Sequence, residues 1–347
     1  MTITKFNVQT KNAKSKSSDF IVTIFAFILI LVLLTNPSKY ANNTLEGLLL
    51  FCTSVLPGLF PFMFLTKILT SLTSVQKLSL KCGKLTQKLF SSPGIGAYTL
   101  LLSNLSGYPV GAKIIGDLHS NNIITDADAK KMICYSLTSG PAFVIGTVGA
   151  LMFKNIMVGI VIFISHLISN IISGIIFCKS KKYNFQTQNT QSSFTENLSQ
   201  HSSIDKILSE SMFSTVQSIL LVGGFISVFY CLSEILIDLK VFEILSFPLS
   251  KLLEFIGAPG EMANGVMSGI IEVTRGCKEL SIYFKQYPVL STSFACMLIS
   301  FSGLSIIFQS KAFLSATQIK TRFLIGSKSV HAILSFVVCL ILSSIVF

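Results

Sequence analysis

Residues 101–113 read LLSNLSGYPVGAK, and residues 266–278 read VMSGIIEVTRGCK. Both sit inside longer apolar stretches crowded with helix breakers. Leu89–Ala112 carries Pro93, Gly94, Gly96, Asn104, Gly107, Pro109 and Gly111. Gly257–Lys278 carries Pro259, Gly260, Gly265, Gly269 and Gly276 around Glu261, Glu272 and Arg275. Glycine and proline at that density break a helix. Broken backbone at membrane depth persists only where protein or a polar cavity satisfies its N–H and C=O groups. Both segments are therefore predicted to be re-entrant hairpins. They also align: Ser103 with Ser268, Gly111 with Gly276 and Lys113 with Lys278, at an offset of 165. Ser139-Gly140 then aligns with Ser302-Gly303 at 163, and LPGLFPFMFL (56–65) with VGGFISVFYC (222–231) at 166. Three landmarks in one order at nearly one offset predict an internal repeat.

The membrane setting follows from composition. Apolar residues make up 51% of the 347-residue chain and charged residues only 12%, half the usual charged share of a soluble domain. Seven uncharged runs approach or exceed the roughly 20 helical residues that cross a hydrocarbon core: Phe20–Ser38, Gly47–Thr66, Met132–Phe153, Asn155–Cys178, Ser211–Ser233, Gln286–Ser310 and Ser329–Phe347. The expected fold is an all-α polytopic membrane protein with about seven transmembrane helices, two re-entrant hairpins and the lipid bilayer as its first partner. Phe20–Leu34 follows a basic tail but lacks a small-x-small cleavage site, so it is expected to stay as an anchor helix.

The net charge of +12 orients the chain rather than binding nucleic acid, because the lysines fall in short stretches between apolar runs. Lys5, Lys11, Lys14 and Lys16 put the N-terminus in the cytoplasm. Lys39–Thr44 reads as an outside loop. Lys77, Lys81, Lys84 and Lys88, then Lys179, Lys181 and Lys182, and finally Lys311, Lys320, Arg322 and Lys328 mark inside loops. One seven-crossing topology satisfies all of these, with the C-terminus outside. The expected organisation is a basic tail and anchor helix (1–44), a first repeat (45–178), a polar cytoplasmic linker (179–210) and a second repeat (211–347). The helix at 47–66 runs inward and its partner at 211–233 outward, which makes the repeat inverted. In inverted-repeat transporters paired broken segments meet near the midplane and bound the substrate site.

The candidate binding residues come from those breaks. Ser103, Asn104, Ser106 and Tyr108 offer neutral hydrogen-bonding groups at the first, suited to a polar solute or a partly dehydrated Na⁺. Glu272, Thr274 and Arg275 hold the second; intramembrane acids and bases are functional candidates by default, and Glu272 and Arg275 are spaced to pair on one helical face. Glu272 is the candidate for coupling to a proton or Na⁺, and Asn104 for hydrogen-bonding the solute at a cavity shared with Glu272. Ser139 and Ser302 precede Gly140-Pro141 and Gly303, where a helix start could aim free N–H groups at a ligand. Each set has a plainer reading: a self-bonded loop, a neutralised ion pair and a tight helix crossing. His166 and His331 read as isolated histidines satisfied by an interhelical bond. His119 and His201 read as loop residues, and Thr125 as the N-cap of a helix on DADAKK. The eight cysteines show no CxxC pair or His/Cys cluster, so neither disulfides nor a metal are expected. No Walker loop, nucleotide fingerprint, serine elbow or HExxH occurs, so no enzyme activity and no cofactor are expected.

LSNLSGYPVGAKIIGDL (102–118) and SLTSGPAFVIGTVGALMF (136–153) resemble the YlbJ-type sporulation integral membrane proteins, which carry the nucleoside-recognition (Gate) domain. GIIEVTRGCKELS (269–281) and SFSGLSI (300–306) look like the second half of that pattern, so the resemblance spans roughly residues 45–347. It implies a multi-pass protein of the bacterial cytoplasmic membrane in endospore formers, linked to spore cortex formation and distantly akin to nucleoside transporters. The domain label does not supply a substrate. The expected function is a permease for a small polar solute, nucleoside-like in one version. The alternative is a non-transporting scaffold or signalling component of sporulation.

Overall fold

The computed structural model describes residues 13–71, 81, 83–179 and 204–347 (backbone alone for 13–19, 21, 22, 70 and 71). Every regular element among them is helical. Helix α1 (Ala13–Thr35) meets α2 (Pro37–Leu50) at one residue, Asn36. The Asn36 side chain accepts from Lys39 N–H at 3.3 Å, and Pro37 opens the helix, a combination that starts a helix at once. The predicted loop at Lys39–Thr44 is therefore helical. α2 passes through a π-helical turn (Phe51–Val55) into α3 (Leu56–Ser71), so that Pro37–Leu69 forms one 33-residue helix.

α4 (Gly83–Phe90), α5 (Gly96–Ser106), α6 (Val110–Ser120) and α7 (Asp126–Ser136) follow. Thr125 caps α7 in a capping box with Asp128, as expected. His119 lies in the last turn of α6, not in a loop, with Nε2 3.2 Å from Asp126. Residues 137–140 are non-helical. A π-helix (Ala142–Met152) and α8 (Ile156–Lys179) come next. The second stretch holds α9 (Ile204–Asp238), α10 (Val241–Phe255), α11 (Met262–Ile271), α12 (Val273–Ser281), α13 (Pro288–Phe301), α14 (Gly303–Phe313) and α15 (Thr321–Val346). Residues 204–210 of the predicted linker are thus the first turns of α9. His201 and residues 180–203 lie outside the described residues.

Among the described residues five helices are long and apolar enough to cross a membrane: Pro37–Leu69, Ile156–Lys179, Ile204–Asp238, Pro288–Phe313 and Thr321–Val346. One further predicted crossing takes another form: Met132–Phe153 is divided, because Pro141 has no N–H to continue a helix through Ser139-Gly140. The first predicted crossing, Phe20–Ser38, falls mostly on the 23-residue helix α1.

The side-chain distribution is that of a protein dissolved in lipid. Phe25, Phe27 and Leu34 of α1 and Phe213, Leu220 and Val228 of α9 are exposed. Buried against one another are polar and small residues: Ser165, Ser169, Asn170 and Ser173 on α8, and Ser327, Ser335 and Ser343 on α15. Lipid is as apolar as leucine, so small residues and interhelical hydrogen bonds hold such helices together. Ser335 Oγ lies 3.4 Å from the Cys296 carbonyl, and Ser293 and Ser343 lie 3.3 Å apart, tying α13 to α15.

Candidate functional site

Four breaks in helical backbone converge at the centre. α5 stops at Gly107, whose φ of 76° is left-handed, and α6 restarts after a cis Tyr108–Pro109 bond. α11 stops at Glu272, in extended conformation, and α12 restarts at Val273. Each pair folds back tightly. A Cβ at Gly276 would lie 2.3 Å from Gly269 Cα, and one at Gly111 would lie 2.9 Å from Ser103 Cβ. The third break is residues 137–140. The fourth is Ser302-Gly303, with φ of 82° and 69°. The breaks touch in pairs: a Cβ on Gly107 would meet Gly140 N at 2.5 Å, and one on Gly303 would meet Val273 N at 3.1 Å. Backbone this close leaves no room for side chains, which is why glycine stands at the contacts.

The breaks bound a cavity lined by Gly107, Tyr108, Ser139, Glu272, Thr274 and Gln309, with Leu59, Phe143, Val222 and Ile226 supplying apolar wall. About 40 Å³ of it is open to the centre of a water molecule, room for two or three waters. Gln309 donates Nε2–H to Ser305 at 3.3 Å, while its buried carbonyl oxygen has no partner.

The candidate residues divide. Tyr108, Ser139, Glu272 and Thr274 line the cavity. Ser302 is buried behind Tyr108 and donates to its hydroxyl at 2.6 Å, and Tyr108 donates in turn to the Ile299 carbonyl at 3.3 Å. Ser103 donates to the Leu100 carbonyl at 3.1 Å on its own helix. Ser106 is buried without a partner for Oγ, off the cavity wall. Asn104 does not line the cavity with Glu272 as expected: its Nδ2–H donates to the Leu100 carbonyl at 2.8 Å. It lies three residues before Gly107, nearly a full helical turn from the break.

Glu272 and Arg275 do not pair through their side chains. The Glu272 carboxylate accepts from Arg275 N–H at 2.8 Å and from the Thr274 hydroxyl at 3.1 Å, capping α12. The Arg275 guanidinium turns away, to Glu234 at 2.6 Å and Glu279 at 2.7 Å, over the Tyr230 ring. An N-cap carboxylate must bend back along its own backbone, which takes it off the helical face where Arg275 points. Glu272 is thus 1% exposed, with no cationic side chain paired to it among the described residues.

His166 and His331 are satisfied by interhelical hydrogen bonds as expected, His331 Nε2 with the His166 carbonyl at 3.2 Å and His166 Nδ1 with Ser300 Oγ at 2.8 Å, but they are not isolated. The two imidazoles lie 4.8 Å apart between α8 and α15, both buried. Lys328 is not in a loop but buried one turn before His331 on α15. A signal was present: 331 and 166 are 165 apart, the spacing at which the two hairpins align.

No family model matches the chain, and no solved structure matches it. It is similar to the sporulation integral membrane protein YlbJ of Bacillus subtilis (strain 168), 25% identical over 322 residues, which cover 88% of this chain and 78% of that protein. The likeness supports the YlbJ-type resemblance. Together with the apolar helices, it supports a multi-pass membrane protein.

Proposed function

We propose that the chain is a permease of the bacterial cytoplasmic membrane that carries a small polar solute past the four central breaks. The observation that carries this reading is a cavity lined by Glu272, with no cationic side chain paired to it among the described residues, and by Gln309, whose buried carbonyl has no partner. A buried polar group left unsatisfied costs about 1–3 kcal/mol. A mobile ligand with its own hydrogen-bond donors would satisfy both groups. Glu272 then takes the coupling proton or Na⁺, while Tyr108, Ser139, Thr274 and Gln309 hydrogen-bond the solute. A nucleoside-like solute is favoured only by the Gate-type resemblance.

Inverted repeats suit this reading. Long helix, short helix, broken pair, interrupted helix and long helix follow in the same order in 37–179 and 204–346. Glu272→Gln keeps an oxygen for the Arg275 N–H and removes the charge, so folding should persist. In liposomes, uptake across a panel of nucleosides, amino acids and sugar phosphates should fall at least tenfold for the solute that wild type carries, which is about 1.4 kcal/mol. Uptake by no panel member in wild type, with full sporulation support by Glu272→Gln, would favour the scaffold.

The N-terminus is assigned to the cytoplasm and the C-terminus to the outside. Lys39 pairs with Asp238, which brings the start of α2 and the end of α9 to one level, as an outward α9 requires. Cysteines placed singly at Asn189 and Phe347 should react with an impermeant maleimide from opposite faces of intact cells. Labelling of both from one face would overturn this topology.

A further inference from the structure

The central cavity leaves one buried cluster unused. Lys328 Nζ lies 2.7 Å from the Leu137 carbonyl and 3.1 Å from His331 Nδ1, with the Tyr108 ring centre at 5.4 Å. His331 Nε2 lies 3.2 Å from the His166 carbonyl. His166 Nε2 faces the Ser139 N–H at 3.1 Å, and its Nδ1 lies 2.8 Å from Ser300 Oγ. Lys328 is 3% exposed, His331 2% and His166 0%.

These partners fix where protons can sit. A carbonyl only accepts, so His331 Nε2 must carry hydrogen. A backbone amide only donates, so His166 Nε2 must be bare, and its hydrogen is on Nδ1, donated to Ser300. His166 cannot gain a proton without losing the Ser139 bond at the third break. The Leu137 carbonyl takes one hydrogen of Lys328 Nζ, while the hydrogen between Nζ and His331 Nδ1 is fixed by no other group. Two protons there would set two cations 3.1 Å apart without a carboxylate. Among the described residues, the other titratable groups facing the cluster are Cys134 from α7 and Tyr108 from the first break.

The geometry points to Lys328 and His331 as a binding site for one exchangeable proton, shared between Nζ and Nδ1 and wired to the central cavity through Ser139 and Tyr108. It is an ionisable centre separate from Glu272. With the proton on Lys328, the ammonium donates to the Leu137 carbonyl and to Nδ1 and faces the Tyr108 ring, which holds residues 137–140 against α15. When the proton leaves, the neutral amine keeps only weaker versions of these contacts, and the third break is freed to move. Coupling to a solute rests on the permease reading above; the proton site does not.

The test is ¹⁵N NMR of the full chain labelled at histidine, resolved by His166→Gln and His331→Gln. His166 should appear as the neutral Nδ1–H form and His331 as the neutral Nε2–H form, with the His331 resonances moving as one proton is removed by base. Lys328→Arg keeps the cation and the Leu137 bond but cannot give up its proton, so the movement should be lost. Lys328→Met, if folded, should lose it too. A His331 signal that does not move in wild type, or moves unchanged in Lys328→Arg, overturns the proposal, as does a cationic His166. If the movement behaves as expected but wild type carries no panel solute, the proton site stands and the permease reading falls.

Discussion

Gly276→Ala is expected to prevent accumulation of folded protein, with Gly111→Ala close behind. At Gly276 the added methyl would sit 2.3 Å from Gly269 Cα, 2.6 Å from Gly269 N and 2.8 Å from the Gly265 carbonyl. At Gly111 it would sit 1.9 Å from the Ser136 carbonyl. All but one of the atoms met at these two positions are backbone, so no rotamer change relieves the clash. The helices must separate, and α11 and α12 would lose both their packing and the position of Glu272 between them. Overpacking costs typically about 1–3 kcal/mol, and a backbone clash belongs at the upper end. Gly224→Ala and Gly326→Ala, in contrast, meet nothing within 4 Å and should gain slightly in helix propensity. Thermal melts in detergent, followed by fluorescence-detected size exclusion, would measure all four. Equal melting of Gly276→Ala and Gly224→Ala would show that the hairpin does not close through Gly276.

Arg275→Met is the second large expectation. Arg275 joins α12 to α9 through Glu234, bonds Glu279 on its own helix and covers the Tyr230 ring at 4.6 Å from the guanidinium carbon. Tyr230 in turn donates to Glu46 on α2 at 3.0 Å. Its side chain is 9% exposed, against 19% for Glu234 and 31% for Glu279. Removing one partner of a fully buried pair costs about 3–5 kcal/mol. The partial exposure of the glutamates lowers this to roughly 2–3 kcal/mol, since water can solvate them once unpaired. Arg275→Lys should recover only part, because an ammonium cannot reproduce a fork that serves two carboxylates. Adding Glu234→Gln to Arg275→Met should restore stability, since the double variant no longer holds that unpaired charge. Additive losses in that double-mutant cycle would mean Arg275 and Glu234 do not interact.

The sequence by itself determined whatever depends on local chemistry. Charge-poor runs specified a membrane protein, because an uncharged stretch of that length is costly in water whatever it packs against. Pro109, Gly107 and Ser302-Gly303 marked breaks, because each acts on its own φ or its own N–H. The regular offset of the hairpins was legible for the same reason, and the order of helices follows it. Tertiary structure decided which side chains meet. Spacing of three residues put Glu272 and Arg275 on one face only as long as the helix was continuous, and the break at 272 turned the carboxylate into a cap. Asn104 read as a ligand group, yet its distance from Gly107 along the helix turned it off the cavity. Lys328 read as a loop cation, because no local feature distinguishes a lysine that orients a loop from one that α15 carries into the centre. The 165-residue spacing of His166 and His331 matches the offset of the hairpins, but that the two rings meet is set by how α8 and α15 pack, and the spacing within either helix carries no record of it.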